Sequence, residues 1–431
     1  MSQLYPFTDP AAASPRRIVS GAGCTVTDSE GNQFFDAVSA LWCSPLGFNP
    51  PRLRDAMTRQ MDDLAYYHSF MGRTPDVTEE LARILGARLP GRLNHVLFGN
   101  GGSDAVDTAA KLVRYYQNAR GKAGKTRIIA RDGGYHGSGG VSAALTSMTY
   151  CHDGFDVPAS AVLRTGRPHF AVDAEPGEGE VAFSKRRAQE LETLIQTEDA
   201  GTIGAFIGEP AIGAGGVILP PDGYWAAIQE VLAKHDILLI ADEIITGFGR
   251  TGEWFACETF GIDADMMTMA KQLTASVFPM SAVGMTDDVR DTIAQQAHEL
   301  GTFGHGFTYG GHPVGAAVAL ETMAVYEEMD LPSHVKARGQ IIANWLADIR
   351  GHNAVYDVRC IGMLGGVEMR GDTDLGDSIG QQIGQAAERR GVFFRIIGNV
   401  IAIAPPYIAT EDDLNDVMRV LSESIREVCG G

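Results

Sequence analysis

Two charged side chains, each at the end of a short apolar run, are placed to do chemistry together. Ile237 to Ile240 is an apolar run of strand length followed by Asp242 and Glu243, and a second run, Met266 to Met269, leads into Lys271. Both read as buried parallel strands delivering a polar group at the C-terminal tip, where open α/β sheets collect their ligands. A lysine partly shielded from water at such a tip has a lowered pKa, which suits it to act as a nucleophile and then as a proton carrier. An aspartate beside it suits a pyridine ring. Pyridoxal phosphate needs a lysine amine to form a Schiff base and an acid to keep its ring nitrogen protonated. An ordinary ion pair, or two solvated loop charges, would use the same residue types.

Other strand ends carry glycine. Leu93 to Gly99 reads as a strand, followed by Gly101, Gly102 and Ser103 and then by a helix from Asp104 onward. Free amides in a first turn, with the positive end of the helix dipole, make a site for a phosphate group; a plain helix cap at Ser103 is the alternative. Arg127 to Ala130 ends before the loop Gly133 to Gly140, where glycines around Tyr135 and His136 let backbone approach a ligand and an aromatic ring could lie on a pyridine. Packing alone would also account for that Tyr-His pair. Thr202 to Ile207 leads into Glu209, Pro210 and the glycines at 213, 215 and 216, while Gly247, Gly249 and Gly252 surround Arg250.

These strand ends need a frame. Strands alternating with helices from Leu93 to Met285 predict a parallel sheet covered by helices on both faces. Before it, Cys24 to Phe35 reads as a hairpin in a small lobe and Pro51 to Tyr66 as a helix; within it, Tyr224 to His235 is a crossover helix. After it come a helix from Gly315 to Met329, a strand over Gly362 to Met369, a helix from Ile379 to Arg390 and a hairpin from Val392 to Ile403. The last helix, Glu411 to Val428, has Leu414, Val417, Met418, Leu421, Ile425 and Val428 on one face, a stripe meant for the core.

The whole chain of 431 residues, 45% hydrophobic and 21% charged, can bury a large core divided into two or three lobes. A net charge of −19 argues against nucleic-acid binding, which depends on clustered Lys and Arg. The six cysteines are scattered with no CxxC pair, so neither a metal knuckle nor a disulfide framework is indicated, and free thiols in a reducing compartment are expected. The N-terminal ten residues lack the pattern of a leader and no stretch has the length of a membrane span, so the cytoplasm is the expected location.

The pair Asp242-Glu243, then Gly-Phe-Gly-Arg-Thr-Gly at 247–252 and Ala-Lys-Gln-Leu-Thr at 270–274, resembles the signature of the class III pyridoxal-phosphate aminotransferases, and the similarity runs over nearly the whole chain. The resemblance implies an α/β enzyme of fold type I, with a large domain built on a mainly parallel seven-stranded sheet and a small α+β domain. Residues 1–50 would be the N-terminal segment of the small domain, 51–310 the cofactor-binding domain, and 311–431 the C-terminal small domain. It further implies that Lys271 binds pyridoxal phosphate covalently and moves the substrate proton, and that Asp242 pairs with the pyridinium nitrogen. Gly102 and Ser103 would hold the phosphate and Tyr135 would stack on the ring, with His136, Glu209 and Ile245 also lining the cofactor site. Thr308 would reach the same phosphate from a neighbouring subunit, which implies a homodimer, or a tetramer built from it.

Departures from the family bear on substrate. Family members that act on ornithine or 4-aminobutyrate carry a Glu, an Arg and a Gln where this chain has Ala214, Ala402 and Ile245. Arg395 instead matches the carboxylate-binding arginine of the pyruvate-dependent ω-aminotransferases, a group including the β-alanine and taurine enzymes. Phe7, Trp42 and Phe70 match that group's aromatic pocket; Trp42 and Phe70 also suit an ordinary core. Gly101 stands where Ser is usual, and Asp104 where Glu is usual. The expectation is a transaminase that moves an amino group from a primary amine or ω-amino acid to pyruvate in two half-reactions. A taurine- or diamine-specific enzyme and an aminomutase are the alternatives.

Overall fold

The computed structural model describes residues 3–9, 11, 14–371 and 378–430, so the reading of the N-terminal ten residues falls partly, at 1, 2 and 10, outside the described residues. A seven-stranded sheet runs in the order Leu93–Gly99, Ser281–Thr286, Met266–Met269, Leu238–Asp242, Ile203–Gly208, Arg127–Arg131 and Val162–Thr165. Every neighbouring pair is parallel except those made by Ser281–Thr286, which is antiparallel to both its neighbours. The link from Met269 to Ser281 holds a short 3-10 turn and no crossover helix, and a strand reached that way can only return antiparallel.

The apolar runs are continuous because both faces of the sheet are covered. Side chains alternate between two layers: Phe206, Leu239 and Ala241, Met267 and Met269 pack into one core, while Ala205 and Ile207, Leu238 and Ile240, and Met266 pack into the other. Helix Gly102–Ala119 lies against the central strands on one face, and helices Glu180–Glu198 and Tyr224–Lys234 pack together, the second against strand Leu238–Asp242 and the first against Val162–Thr165. The first of these starts at Gly102 rather than at Asp104, so two small residues form its opening turn.

A second sheet is antiparallel, in the order Val355–Ile361, Leu364–Met369, Val400–Ile403, Arg395–Ile397. The expected strand from Gly362 begins at Leu364, since Gly362, with φ +52°, belongs to the turn. The expected hairpin from Val392 begins at Arg395. Val392–Phe393 instead pairs in parallel with Gln33–Asp36 of a third sheet, whose other strands are Ile18–Ala22 and Thr25–Asp28. The reason is packing: the Phe393 ring stacks on Phe34 with centroids 4.3 Å apart and 11° between planes. The final helix, Glu411–Cys429, opens with a reciprocal cap in which Asp413 N donates to Thr410 Oγ1 at 3.1 Å and Thr410 N donates to Asp413 Oδ2 at 2.9 Å. Its predicted stripe is buried at Leu414, Val417, Met418, Leu421 and Ile425. No helix among the described residues is long and apolar enough to cross a membrane.

Candidate active site

Sheet register brings the acid and the amine to one place. Asp242 closes its strand directly opposite Thr268 of the adjacent parallel strand, and Lys271 begins the turn Lys271–Thr274 just past that strand's end. Asp242 is buried at 2% exposure. Its Oδ1 accepts from Thr268 Oγ1 at 3.0 Å and from Ile244 N at 3.2 Å, and its Oδ2 accepts from His136 Nδ1 at 2.7 Å. A carboxylate only accepts, so the imidazole carries a proton on Nδ1. The other ring nitrogen, Nε2, is buried without a partner among the described residues.

The His136 loop is pinned from two sides. His136 N and Gly137 N donate to Thr146 Oγ1 at 2.9 and 3.1 Å. Tyr135 N donates to Glu209 Oε1 at 3.1 Å, and the other oxygen of Glu209 accepts from Gly213 N at 2.9 Å. One buried carboxylate thus ties the Tyr135 loop to the loop that carries Ala214. Burial pushes the Glu209 carboxyl up, with His136 pulling the other way.

Lys271 is partly buried, and its Nζ sits 5.7 Å from the centroid of the Trp42 ring. It makes no hydrogen bond among the described residues. Burial lowers its pKa; Cys43, Asp242 and Glu209 oppose that shift and Arg250 adds to it. A free, less basic amine beside a buried acid is what nucleophilic attack on an aldehyde requires.

The residues fit pyridoxal phosphate. The first turn of helix Gly102–Ala119 leaves the amides of Gly102, Ser103 and Asp104 without a helical carbonyl. The space beside that turn is close: a Cβ on Gly102 would come 3.0 Å from Ile244 Cδ1, and one on Gly137, at φ +126°, would come 2.6 Å from Ser103 Oγ. Ser138 N donates to Ser103 Oγ at 3.1 Å, so this turn, the His136 loop and the segment after Asp242 meet at one place. The shorter Asp104 bends back to accept from Asn100 N at 2.9 Å and Gly101 N at 2.8 Å.

Trp42, whose ring Lys271 Nζ approaches, shares one apolar cluster with Ile245, Ala214 and Ala402. Trp42 is therefore both core and the wall facing the amine. Arg395 is paired directly across from Ala402 and is exposed, and its charge offsets part of the upward push that burial gives the Tyr135 hydroxyl. Phe7 is exposed, edge-on to Tyr150 at 5.9 Å. Phe70 and Thr308 lie elsewhere in the chain. Phe70 packs on Gly306, and the Thr308 carbonyl accepts from Tyr66 OH at 2.8 Å; among the described residues neither makes a hydrogen bond or ring contact with Asp242, Lys271 or Tyr135. Thr268 and Thr146 join the site only through the fold. Their role depends on strand register and loop path, for which the sequence holds no local signal.

Glu243, next to Asp242, points away from the crevice into the core, accepting from Cys257 N at 2.7 Å and from the Thr246 hydroxyl. Burial pushes its carboxyl up to about 7. In the unfolded chain it ionises near pH ~4.3. Between those values the folded chain holds the extra proton, so the stabilising contribution is complete below the unfolded pKa and is lost as pH rises through the folded one. Glu243→Gln should remove that loss. Thermal melts from pH 5 to 8 should show the variant gaining on the parent as pH rises, by about 2–3 kcal/mol across the window; parallel curves would show that Glu243 does not titrate there.

A family model described as "Aminotransferase class-III" matches residues 9–425. An uncharacterized aminotransferase of Sinorhizobium fredii is 39% identical, covering 99% of this chain and 93% of the relative. A γ-aminobutyrate transaminase of Solanum lycopersicum, number 3 and chloroplastic, is 40% identical over 98% of this chain and 84% of its own length. Among solved structures, the ω-transaminase of Pseudomonas jessenii in complex with PMP superposes with a TM-score of 0.97 at 39% identity, covering 100% of this chain and 98% of that one. The chain belongs to the class III aminotransferases, and is a pyridoxal-phosphate-dependent enzyme that transfers amino groups.

Proposed function

We propose that this enzyme is an ω-aminotransferase whose donor is a primary amine or ω-amino acid and whose acceptor is pyruvate, working by alternate half-reactions. The observation that carries the reading is the buried Asp242–His136 pair beside a lysine with no hydrogen bond among the described residues. When bound, pyridoxal phosphate supplies an electron sink for the carbanion left as the substrate Cα–H breaks. The chain supplies the rest. Lys271 is the amine that binds the cofactor and carries the Cα proton, Asp242 holds the ring nitrogen protonated, and His136 orients Asp242. Gly102 and Ser103 take the phosphate, while Tyr135, Glu209 and Ile245 line the ring.

Phe7, Trp42, Phe70 and Ala214 are assigned to the amine pocket. Phe70 and Thr308 sit on an exposed ridge with Tyr66, Tyr67, Met71 and Tyr309, an apolar surface suited to a second copy. A homodimer in which Thr308 reaches the partner's phosphate is the assembly proposed. The division at residues 50 and 310 into a large domain flanked by two parts of a small one belongs to the same proposal. So does a cytoplasmic location, with which six free thiols accord.

Arg395 is assigned to the substrate carboxylate. A guanidinium binds a carboxylate through two parallel hydrogen bonds, and Ala402 opposite leaves room for it. The test is a panel of taurine, β-alanine, 4-aminobutyrate, a diamine and an arylalkylamine assayed against pyruvate. Alanine should form with at least one donor; none with any donor would overturn the acceptor assignment. An isomerised amine produced without a keto acid would instead mark an aminomutase. In the same panel Arg395→Ala should lower kcat/KM for pyruvate about 10- to 100-fold, the worth of charge-assisted hydrogen bonds, and spare the arylalkylamine half-reaction. Equal losses would count against a carboxylate role.

A further inference from the structure

The backbone that carries Lys271 is not relaxed. Lys271 has φ +47°, and Ala275 and Ser276, at +46° and +59°, repeat the left-handed conformation within the same bend. For residues with a Cβ that conformation is costly, and it persists only where surrounding contacts over-determine it. Two of those contacts come from side chains outside the roles assigned above.

Gln272 is fully buried and donates Nε2 to the Ile245 carbonyl at 2.6 Å. Ile245 lies in the segment that leaves Asp242, so one hydrogen bond sets the turn of the amine against the segment of the acid. From the other side Tyr326, in helix Pro313–Glu328 and 0% exposed, donates its hydroxyl to the Gln272 carbonyl at 2.8 Å. The Tyr326 ring cannot drift. It packs edge-on to Trp254 and tilted on Tyr407, with centroids 6.2 and 6.1 Å away, and the Tyr407 hydroxyl is itself held by the Phe248 carbonyl at 2.8 Å.

We propose that Gln272 and Tyr326 are positioning residues for Lys271: they clamp its turn between the segment after Asp242 and helix Pro313–Glu328, and so determine where the ε-amine points. The Gln272 amide N–H and the Tyr326 hydroxyl both bond backbone carbonyls of this bend and its neighbour, so both residues act through the lysine's turn. The inference rests on the reading of Lys271 as the reacting amine. It adds the reason that this amine stays aimed after it is released from the cofactor. A turn without the clamp would relax toward right-handed backbone and swing the side chain, and a misplacement of about 1 Å at a reacting group can cost roughly 100-fold.

The test uses Tyr326→Phe, which keeps the ring and loses only the hydroxyl, and Gln272→Met, which keeps the volume and loses the donor. Two readouts are specific to the lysine. Covalent capture of pyridoxal phosphate by the full-length apoenzyme, followed as growth of the visible band, should slow about 10-fold in either variant. The single-turnover amine half-reaction should fall by a similar factor, with a larger primary isotope effect from α-deuterated amine and an unchanged KM.

The deciding comparison places Tyr326→Phe in a Lys271→Ala background supplied with methylamine as an untethered base. There the Tyr326→Phe penalty should vanish, because no side chain remains to be aimed. A penalty that persists in that background, or unchanged capture and isotope effect in both single variants, would overturn the clamp while leaving Lys271 in its role. A visible band surviving in Lys271→Ala would overturn the role itself. Should Tyr326→Phe lose its fold, Gln272→Met carries the same comparison.

Discussion

Lys271→Ala should be a folded protein that no longer shows the visible band of lysine-bound cofactor and that transaminates at least about 10⁴-fold more slowly, the upper range for loss of a single acid–base group. The size of the effect follows from the two tasks of one nitrogen. The amine first holds the cofactor covalently, and once displaced it is the base at the substrate Cα. No other lysine is placed to replace it. Lys125, the only lysine buried below a tenth exposure among the described residues, is committed to the carbonyls of His235 and Asp236 at 3.0 and 2.6 Å. The fold should survive, because the side chain makes no hydrogen bond among the described residues and its charge is already disfavoured by burial. Absorbance and circular dichroism on the same sample check both halves of the statement. A persisting band would mean that a different amine carries the cofactor.

Asp242→Asn is the second large effect, and it separates charge from shape. The asparagine oxygen can still accept from Thr268 Oγ1 and Ile244 N, but its NH2 would face the N–H of His136 at a separation now 2.7 Å. The imidazole must then move its proton to Nε2, which is buried with no acceptor among the described residues. The negative charge that keeps a pyridine nitrogen protonated is lost at the same time. Turnover should fall by roughly 10² to 10³, or about 3–4 kcal/mol in the barrier, the range found when one preorganised electrostatic group is removed. Covalent capture of the cofactor should survive, since Lys271 is intact. Near-normal turnover would refute the role given to Asp242.

Some of this was legible one residue at a time. Continuous apolar runs such as Ile237–Ile240 and Met266–Met269 declare buried strands, and the first polar residue after each declares a tip; these are local properties. The same holds for the apolar stripe of Glu411–Cys429 and for the glycines at 101 and 102. Short elements were less legible. Val392–Phe393 reads as part of the following hairpin because two residues carry no period, and its true partner, Gln33–Asp36, is more than 350 positions away in the chain. The antiparallel strand Ser281–Thr286 has the composition of its parallel neighbours, and only the missing crossover helix sets its direction.

By itself, then, the amino-acid order determined that an acid, an amine and a glycine-rich helix start would stand at strand tips of an α/β sheet, because hydrophobic period and turn chemistry act over a few residues. The tertiary structure alone decided that Thr268 would face Asp242, that His136 would turn its Nδ1 to that carboxylate, that Glu209 would join two loops and that Gln272 and Tyr326 would hold the lysine's turn. Those pairings are products of register and packing between distant segments, and a hydrogen bond acting over about 3 Å leaves no periodic trace in the chain that makes it.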